Sequence, residues 1–210
     1  MVTVRTVLPS GDQPPFPDQP YLMVGLGNPG REYRFNRHNV GFMAIDTLCR
    51  EWKVDLNRVQ AKALVSPTNF GGRRVILAKP QTFMNLSGQS VSALLHFYKV
   101  PLENLLVIHD DLDLAVGILR IRPEGGSAGQ KGLGSTIEKL GTEHFPRLRI
   151  GIGRPPGRMD SAAYVLQDFP KGEQETIVQV LDRARQAVET FISSGIVTAM
   201  NQFNGVLNKE

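Results

Sequence analysis

Short apolar runs alternate with amphipathic segments along most of this chain, and few folds accommodate that order. Strand-like runs, apolar or alternating, occupy residues 21–25, 73–79, 105–109, 117–122 and 147–153. Helical periodicity lies between and after them, in residues 40–52, 87–98, 133–140 and 171–194. The pattern predicts a single-domain α/β fold with three layers, in which helices flank a central mixed β-sheet. Since a short turn separates 105–109 from 117–122, we expect these two strands to pair antiparallel.

The first 20 residues differ in composition from the rest of the chain. They combine polar residues with five prolines, Pro9, Pro14, Pro15, Pro17 and Pro20. A segment of this composition cannot bury a core, so we expect a flexible Pro-rich leader, residues 1–20, ahead of a domain formed by residues 21–210. Asp12 and Asp18 distinguish the segment from an acid-poor organelle transit peptide.

Composition also indicates a cytoplasmic protein without a membrane segment. No apolar run in the sequence approaches the roughly 20 residues needed to cross a bilayer, and no secretory apolar region follows Met1. Cys49 is the single cysteine, so an internal disulfide is impossible. It belongs to the apolar stripe of the helix predicted for residues 40–52, which favours a packing role over nucleophilic chemistry.

The positions of the basic residues indicate an anionic partner more clearly than the net charge does. The sequence has 24 Lys+Arg against 20 Asp+Glu, a net charge of +4 that is also common on ordinary surfaces. Two stretches, 145–159 and the loop after the first predicted strand, concentrate arginines. The arginines are Arg147, Arg149, Arg154 and Arg158 in the first stretch, and Arg31, Arg34 and Arg37 in the second. Such stretches suit a polyanion but do not identify one.

The first predicted strand ends in a glycine motif. Residues 25–30 read Gly-Leu-Gly-Asn-Pro-Gly, a literal match to the G-x-G-x-x-G pattern of dinucleotide sites. A dinucleotide site also needs a helix that opens directly at the last glycines, whereas residues 31–39 are polar and basic. The acid expected about 20 residues further on is at best Asp46, inside the next helix. The context therefore disfavours nucleotide binding.

Polar side chains follow three of the predicted strands. Asn28 and His38 come after the first strand, Asn85 follows the strand 73–79, and Asp110 follows the strand 105–109. Each has an ordinary structural explanation as a cap or a turn residue. Because open α/β sheets place their sites at the carboxyl ends of strands, we nevertheless expect these four side chains to meet.

Five segments together resemble the bacterial-type peptidyl-tRNA hydrolases. They are VGLGNPGREY (24–33), RHNVG (37–41), KPQTFMNLSG (79–88), HDDLDL (109–114) and FPRLRIGIGRP (145–155). The resemblance implies a single α/β domain around a mixed sheet. It also implies an enzyme that hydrolyses the ester between a peptide, or an N-blocked amino acid, and the 3′ end of tRNA, recycling tRNA from drop-off peptidyl-tRNA. It further implies a monomer whose partner is peptidyl-tRNA, bound at its acceptor end and phosphate backbone, with no cofactor and no metal.

The resemblance assigns catalytic roles to the four polar residues. His38 would be the general base that takes a proton from water, and Asp110 would orient its ring and stabilise the imidazolium. Asn85 would donate a hydrogen bond to the oxyanion. Asn28 would hold the peptide end or the 3′ adenosine. The expected substrate-binding residues are Tyr33, Phe83, Met84, Gln130, Lys131, Arg149 and Arg158.

The sequence departs from the family pattern in one loop and at one isolated position. Where the family usually has His-Asn before a helix, this chain has Gln130 and Lys131, and Asn36 stands where a threonine is common. A glutamine keeps hydrogen-bonding capacity but cannot titrate near neutral pH. The departures leave open an alternative, a non-catalytic RNA-binding relative of the same fold. Such a module would need the arginines but would have no chemical use for His38 and Asp110.

Overall fold

The computed structural model describes residues 19–206, in which eight strands form a single mixed sheet. The predicted leader, residues 1–20, lies outside the described residues except for its last two. The strands are β1 (Tyr21–Gly25), β2 (Arg58–Gln60), β3 (Ala63–Phe70), β4 (Arg73–Pro80), β5 (Leu105–Asp111), β6 (Ile118–Arg122), β7 (Arg147–Gly151) and β8 (Gly205–Val206). The α-helices are α1 (Val40–Trp52), α2 (Ser87–Tyr98), α3 (Lys131–Leu140), α4 (Ser161–Val165) and α5 (Lys171–Phe203).

The strand order across the sheet is β2-β3-β4-β1-β5-β7-β6-β8. Strands β4, β1, β5 and β7 run parallel, and the remaining pairs are antiparallel. The predicted pairing of the strands at 105–109 and 117–122 is wrong, because β7 lies between β5 and β6. Residues 112–117 cross over the end of β7, where the carbonyl of Ala115 lies against Gly151 and leaves no room for a Cβ. A connection of this length spans the roughly 10 Å across one intervening strand.

Alternation within the strands divides the core into two apolar layers, one on each face of the sheet. In β1, Tyr21 and Met23 pack into the cluster formed with α1 and α5, while Leu22 and Val24 pack into the cluster formed with α2 and α3. Period-two alternation sends neighbouring side chains to opposite faces, so a central strand apolar on both faces needs helices above and below. The three-layer prediction is confirmed.

Cys49 packs against the α1/α5 side of the core, as the apolar stripe predicts. Burial, together with the nearby carboxylate of Asp46, raises the pKa of its thiol to about 11. A thiol with so high a pKa stays protonated at neutral pH and is a poor nucleophile, so the position serves packing.

Two differences from the predicted elements have local causes. The edge hairpin of β2 and β3 was not predicted, since Pro67 and Asn69 interrupt the apolar pattern of β3 and proline is confined to edges or bulges. The long helix α5 breaks at Gly195, whose φ of 81° is left-handed, and continues to Phe203. The break falls directly after the predicted helix end.

Of the helices within residues 19–206, none combines the length and apolarity that a membrane span requires.

Candidate active site

Three neighbouring parallel strands deliver polar residues to one edge of the sheet. Strand β1 pairs with β4 on one side and β5 on the other, in register at Val24 with Ala78 and Val107. Their carboxyl ends therefore lie together. Asn28 follows β1, Asp110 lies at the end of β5, and a 3₁₀ turn, Met84–Leu86, carries Asn85 after β4.

His38 and Asp110 are in direct contact at this edge. Nδ1 of His38 lies 2.9 Å from Oδ2 of Asp110, and both residues are buried, with relative exposures of 9% and 3%. An ionised carboxylate can only accept, so Nδ1 carries the proton and Nε2 is left as an acceptor. A neutral imidazole held in this tautomer can take a proton from water.

Arg37 anchors the 3₁₀ turn Arg37–Asn39 that carries His38. Its guanidinium is buried and pairs with Glu173 at 2.8 Å. It also lies over the rings of Tyr164 and Phe169, at 4.5 and 4.8 Å from their centroids. Arg37 was counted among the basic residues suited to a polyanion, and the structure corrects this, because its charge is turned inward. The contacts attach the histidine turn to α4 and α5.

Two asparagine side chains connect the glycine loop to two 3₁₀ turns, Arg37–Asn39 and Met84–Leu86. The side chain of Asn39 accepts from the N–H of Asn28 at 2.8 Å and donates to the carbonyl of Asn28 at 2.9 Å. Oδ1 of Asn28 in turn accepts from the N–H of Met84 at 2.8 Å. These bonds fix Asn28 between the segments that carry His38 and Asn85. Asn39 was not predicted as a site residue; its position next to His38 was the available signal.

The glycines before Asn28 serve helix packing. A Cβ at Gly25 would overlap the backbone of Gly41 in α1, and one at Gly27 would lie 2.6–2.8 Å from the ring of Phe42. Helix α1 therefore approaches the end of β1 so closely that glycine is required. This close approach accounts for Gly25 and Gly27 in the match to the dinucleotide motif, while the third glycine, Gly30, has a positive φ of 123°.

Gln130 also belongs to the cluster around Asp110. Its Nε2 donates to Oδ1 of Asp110 at 3.0 Å, and its Oε1 accepts from the N–H of Leu133 at 2.6 Å, capping α3. Sequence reasoning placed Gln130 in the substrate site but did not predict its bond to Asp110. The neighbouring Lys131, the first residue of α3, is exposed.

An open cleft of about 760 Å³ lies at this edge of the sheet. Its wall includes the four expected catalytic residues and four of the expected substrate-binding residues: Asn28, His38, Asn85 and Asp110, with Phe83, Met84, Gln130 and Lys131. The lining also includes Asp160 and residues of helix α4, with the apolar side chains Val165 and Leu166. Tyr33, Arg149 and Arg158 lie outside this lining.

The arginines of residues 145–159 have different environments. Arg147 is buried and donates to the carbonyls of Gly125, Glu143 and Phe145, so it is structural and unsuited to the polyanion role considered for it. Arg149 pairs with Asp111 at 2.5 Å, and about a quarter of its side chain (23%) stays exposed at a second cavity of about 390 Å³. Arg154 pairs with Asp113 at 2.5 Å. Arg158 is exposed.

His109, next to Asp110 on β5, points away from the cleft's reacting groups. It is buried, and burial lowers its pKa, so the ring is neutral. Its Nδ1 lies 2.7 Å from the carbonyl of Asp110, and its Nε2 has no protein partner within residues 19–206. In the same part of the chain no group of three or more His, Cys, Asp or Glu side chains is placed to hold a metal ion.

Comparison with known proteins identifies the family. A family model described as peptidyl-tRNA hydrolase matches residues 22–210. The chain belongs to the peptidyl-tRNA hydrolase family. A peptidyl-tRNA hydrolase of Alkaliphilus oremlandii is 49% identical over 185 residues, which cover 88% of this chain and all of the relative. One of Chloroflexus aurantiacus is 48% identical over 88% of this chain and 98% of the relative.

Solved peptidyl-tRNA hydrolases share the fold. The enzyme of Acinetobacter baumannii superposes with a TM-score of 0.84 at 36% identity, covering 89% of this chain and 95% of that one. A peptidyl-tRNA hydrolase in complex with N-propanol gives 0.85 at 35% identity, covering 90% and 96%. The family resemblance read from the five sequence segments is confirmed.

Proposed function

We propose that this chain hydrolyses the ester between a peptide, or an N-blocked amino acid, and the 3′ end of tRNA, with His38 as general base oriented by Asp110. The observation that carries the proposal is the 2.9 Å contact between His38 Nδ1 and Asp110 Oδ2 in the wall of an open cleft. Membership of the peptidyl-tRNA hydrolase family supports the substrate.

The chemistry follows from the tautomer of His38. Nε2 takes a proton from water as the water oxygen attacks the ester carbonyl, and the carboxylate of Asp110 stabilises the imidazolium that forms. Collapse of the tetrahedral intermediate breaks the bond to the 3′ oxygen of tRNA. The imidazolium returns its proton to that oxygen, so the products are a free peptide acid and a tRNA with a free 3′ hydroxyl.

Asn85 and Asn28 are placed to act on the ester and its flanking groups. Asn85 is exposed on the cleft wall, and its side chain makes no hydrogen bond to other described residues, so its amide NH₂ is available to the oxyanion. Asn28 already uses Oδ1 for the N–H of Met84, which leaves its NH₂ group to donate to the peptide end or the 3′ adenosine. Loss of one oxyanion donor typically lowers kcat by about 10²–10³.

Peptide and tRNA would occupy different parts of this region. Phe83, 61% exposed, and the buried Met84 give the cleft an apolar wall for peptide side chains. Lys131, Arg149 and Arg158 would contact phosphates, which position a tRNA without reading its sequence. We retain Tyr33, half-buried in the 3₁₀ turn before His38, as a peripheral substrate contact.

The family resemblance is the support for a working monomer, which is part of this proposal. Recycling of peptidyl-tRNA takes place where ribosomes work, which supports action in the cytoplasm.

The assay uses N-acetylaminoacyl-tRNA labelled in the amino acid, with loss of acid-precipitable label as the readout. His38→Ala should lower kcat by about 10²–10⁴ while tRNA binding persists. His96→Ala is the matched control, since His96 is exposed on α2 and lies outside the cleft lining. Unchanged turnover in His38→Ala would overturn the catalytic assignment. A wild-type protein that binds tRNA without hydrolysing the ester would favour the non-catalytic RNA-binding relative.

A further inference from the structure

We infer that Gln130 is a positioning residue, which acts through Asp110 to hold the His38 imidazole in its reactive tautomer and orientation. The inference rests on the proposed function. It concerns a side chain that departs from the usual family sequence, and it assigns that side chain a role other than substrate contact.

The orientation of the Gln130 amide is determined by its two partners. The N–H of Leu133 lies 2.6 Å from one end of the amide, and a backbone N–H can only donate, so that end is the oxygen. The opposite end is then the NH₂ group, which lies 3.0 Å from Oδ1 of Asp110 and 3.3 Å from the sulfur of Met84. A flipped amide would place oxygen against carboxylate and nitrogen against N–H, losing both bonds.

Asp110 consequently has one side-chain partner on each oxygen. Oδ2 contacts His38 and Oδ1 contacts Gln130, and the carboxyl is 3% exposed. Among the described side chains, no others donate to this carboxylate. The adjacent carboxylate of Asp111 is engaged separately, with Arg149 at 2.5 Å and the N–H of Asp113 at 2.8 Å.

A carboxyl bonded at both oxygens cannot rotate about its Cβ–Cγ bond without breaking a hydrogen bond. Holding the carboxyl plane fixes the direction from which Oδ2 meets Nδ1, and therefore the direction in which Nε2 faces the cleft. Small misplacements of a general base lower rates strongly, since proton transfer requires close alignment. Because an amide donor stays neutral at all working pH values, this support does not change with pH, unlike that of a histidine at the same position.

Gln130→Glu separates this role from helix capping. The glutamate keeps shape and the cap acceptor for Leu133, and a negative charge is favourable at a helix N-terminus. It replaces the donor facing Asp110 with an acceptor. We expect kcat to fall by about tenfold or more, with KM within about twofold of wild type.

Gln130→Met and Gln130→His complete the series. Methionine removes the donor without adding charge, so kcat should fall with little change in KM, and this variant decides the question if Gln130→Glu fails to fold. Histidine can again donate N–H to Asp110, so its kcat should lie above that of the methionine variant. Glu138→Gln, an isosteric exchange at an exposed position of the same helix, is the matched control.

Unchanged kcat in Gln130→Glu would overturn the inference and leave Gln130 as a helix cap. A raised KM with unchanged kcat would also overturn it, since that pattern indicates a direct substrate contact. Either result would stand beside a fully active wild type and an inactive His38→Ala, so failure of the inference is distinct from failure of the proposed function.

Discussion

Nδ1 of His38 and Oδ2 of Asp110 lie 2.9 Å apart although 72 positions separate the two residues in the chain. Asp110 sits near the end of the central strand β5, and His38 lies in the 3₁₀ turn Arg37–Asn39, in the connection between β1 and α1. Since β1 and β5 are hydrogen-bonded neighbours, the sheet itself places the acid beside the histidine turn. The contact thus depends on strand order as well as on the two side chains.

Asp110→Asn should reduce kcat by up to about 10⁴ with little change in fold. An amide at this position loses the charge opposite the imidazolium and can present NH₂ to Nδ1, which would stabilise the wrong tautomer. Steady-state hydrolysis of N-acetylaminoacyl-tRNA measures the effect. Asp55→Asn, at an exposed loop position, is the control. A kcat within about threefold of wild type in Asp110→Asn would contradict the assignment.

Asn39→Ala should destabilise the protein by about 1–3 kcal/mol. Asn39 is 2% exposed, and its removal leaves the backbone N–H and the backbone carbonyl of Asn28 without their partners. Urea unfolding measures the difference in free energy. The exposed Asn57→Ala serves as the comparison and should change it by less than about 0.5 kcal/mol. Equal stabilities for the two variants would show that the Asn28–Asn39 bonds contribute nothing.

Gly25→Ala should destabilise the fold by about 2 kcal/mol or more. The added methyl would overlap the backbone of Gly41 and lie 2.7 Å from Cγ1 of Ile45, so α1 would have to move off the sheet. Gly172→Ala is the matched control, because no atom lies within 4 Å of a Cβ there. That helical position should be unchanged or slightly stabilised. Thermal melts of the two variants test the prediction, which similar melting temperatures would rule out.

Arg158→Ala should weaken tRNA binding and lower its salt dependence. If the exposed guanidinium contacts one phosphate, the slope of log K against log salt should decrease in magnitude by about 1. Filter binding of tRNA between about 50 and about 200 mM salt measures the slope. Arg50→Ala, an exposed arginine at the end of α1, should leave the slope unchanged. Identical slopes for the two variants would remove Arg158 from the interface.

Local patterning was sufficient for three elements, β1, α1 and α2. Residues 21–25, 40–52 and 87–98 were predicted with the bounds that the structure shows, because their apolar periodicity and flanking turns are local signals. The hairpin of β2 and β3 was missed, since Pro67 and polar residues weaken the strand pattern at a sheet edge. The pairing of β5 with β6 was wrong, because neighbours in sequence need not be neighbours in a sheet.

The candidate site was also predicted only in part from the sequence. Residues at the carboxyl ends of β1, β4 and β5 could be singled out from sequence, as could the chemistry of a histidine, a carboxylate and two amides. Sequence could not distinguish Arg37 and Arg147, which are buried in structural contacts, from Arg158, which is exposed. From sequence, Gln130 was expected to use its hydrogen-bonding capacity on the substrate, whereas in the structure its amide donates to Asp110.

Local sequence patterns were enough to predict the layers of this protein, the ends of β1, α1 and α2, and the residue types available for ester hydrolysis. The tertiary structure alone decided that β7 separates β5 from β6, which arginines face inward, and that Asp110 is held between His38 and Gln130. The reason is physical: periodicity and capping depend on residues a few positions apart, whereas strand order and side-chain pairing depend on contacts between segments distant in the chain.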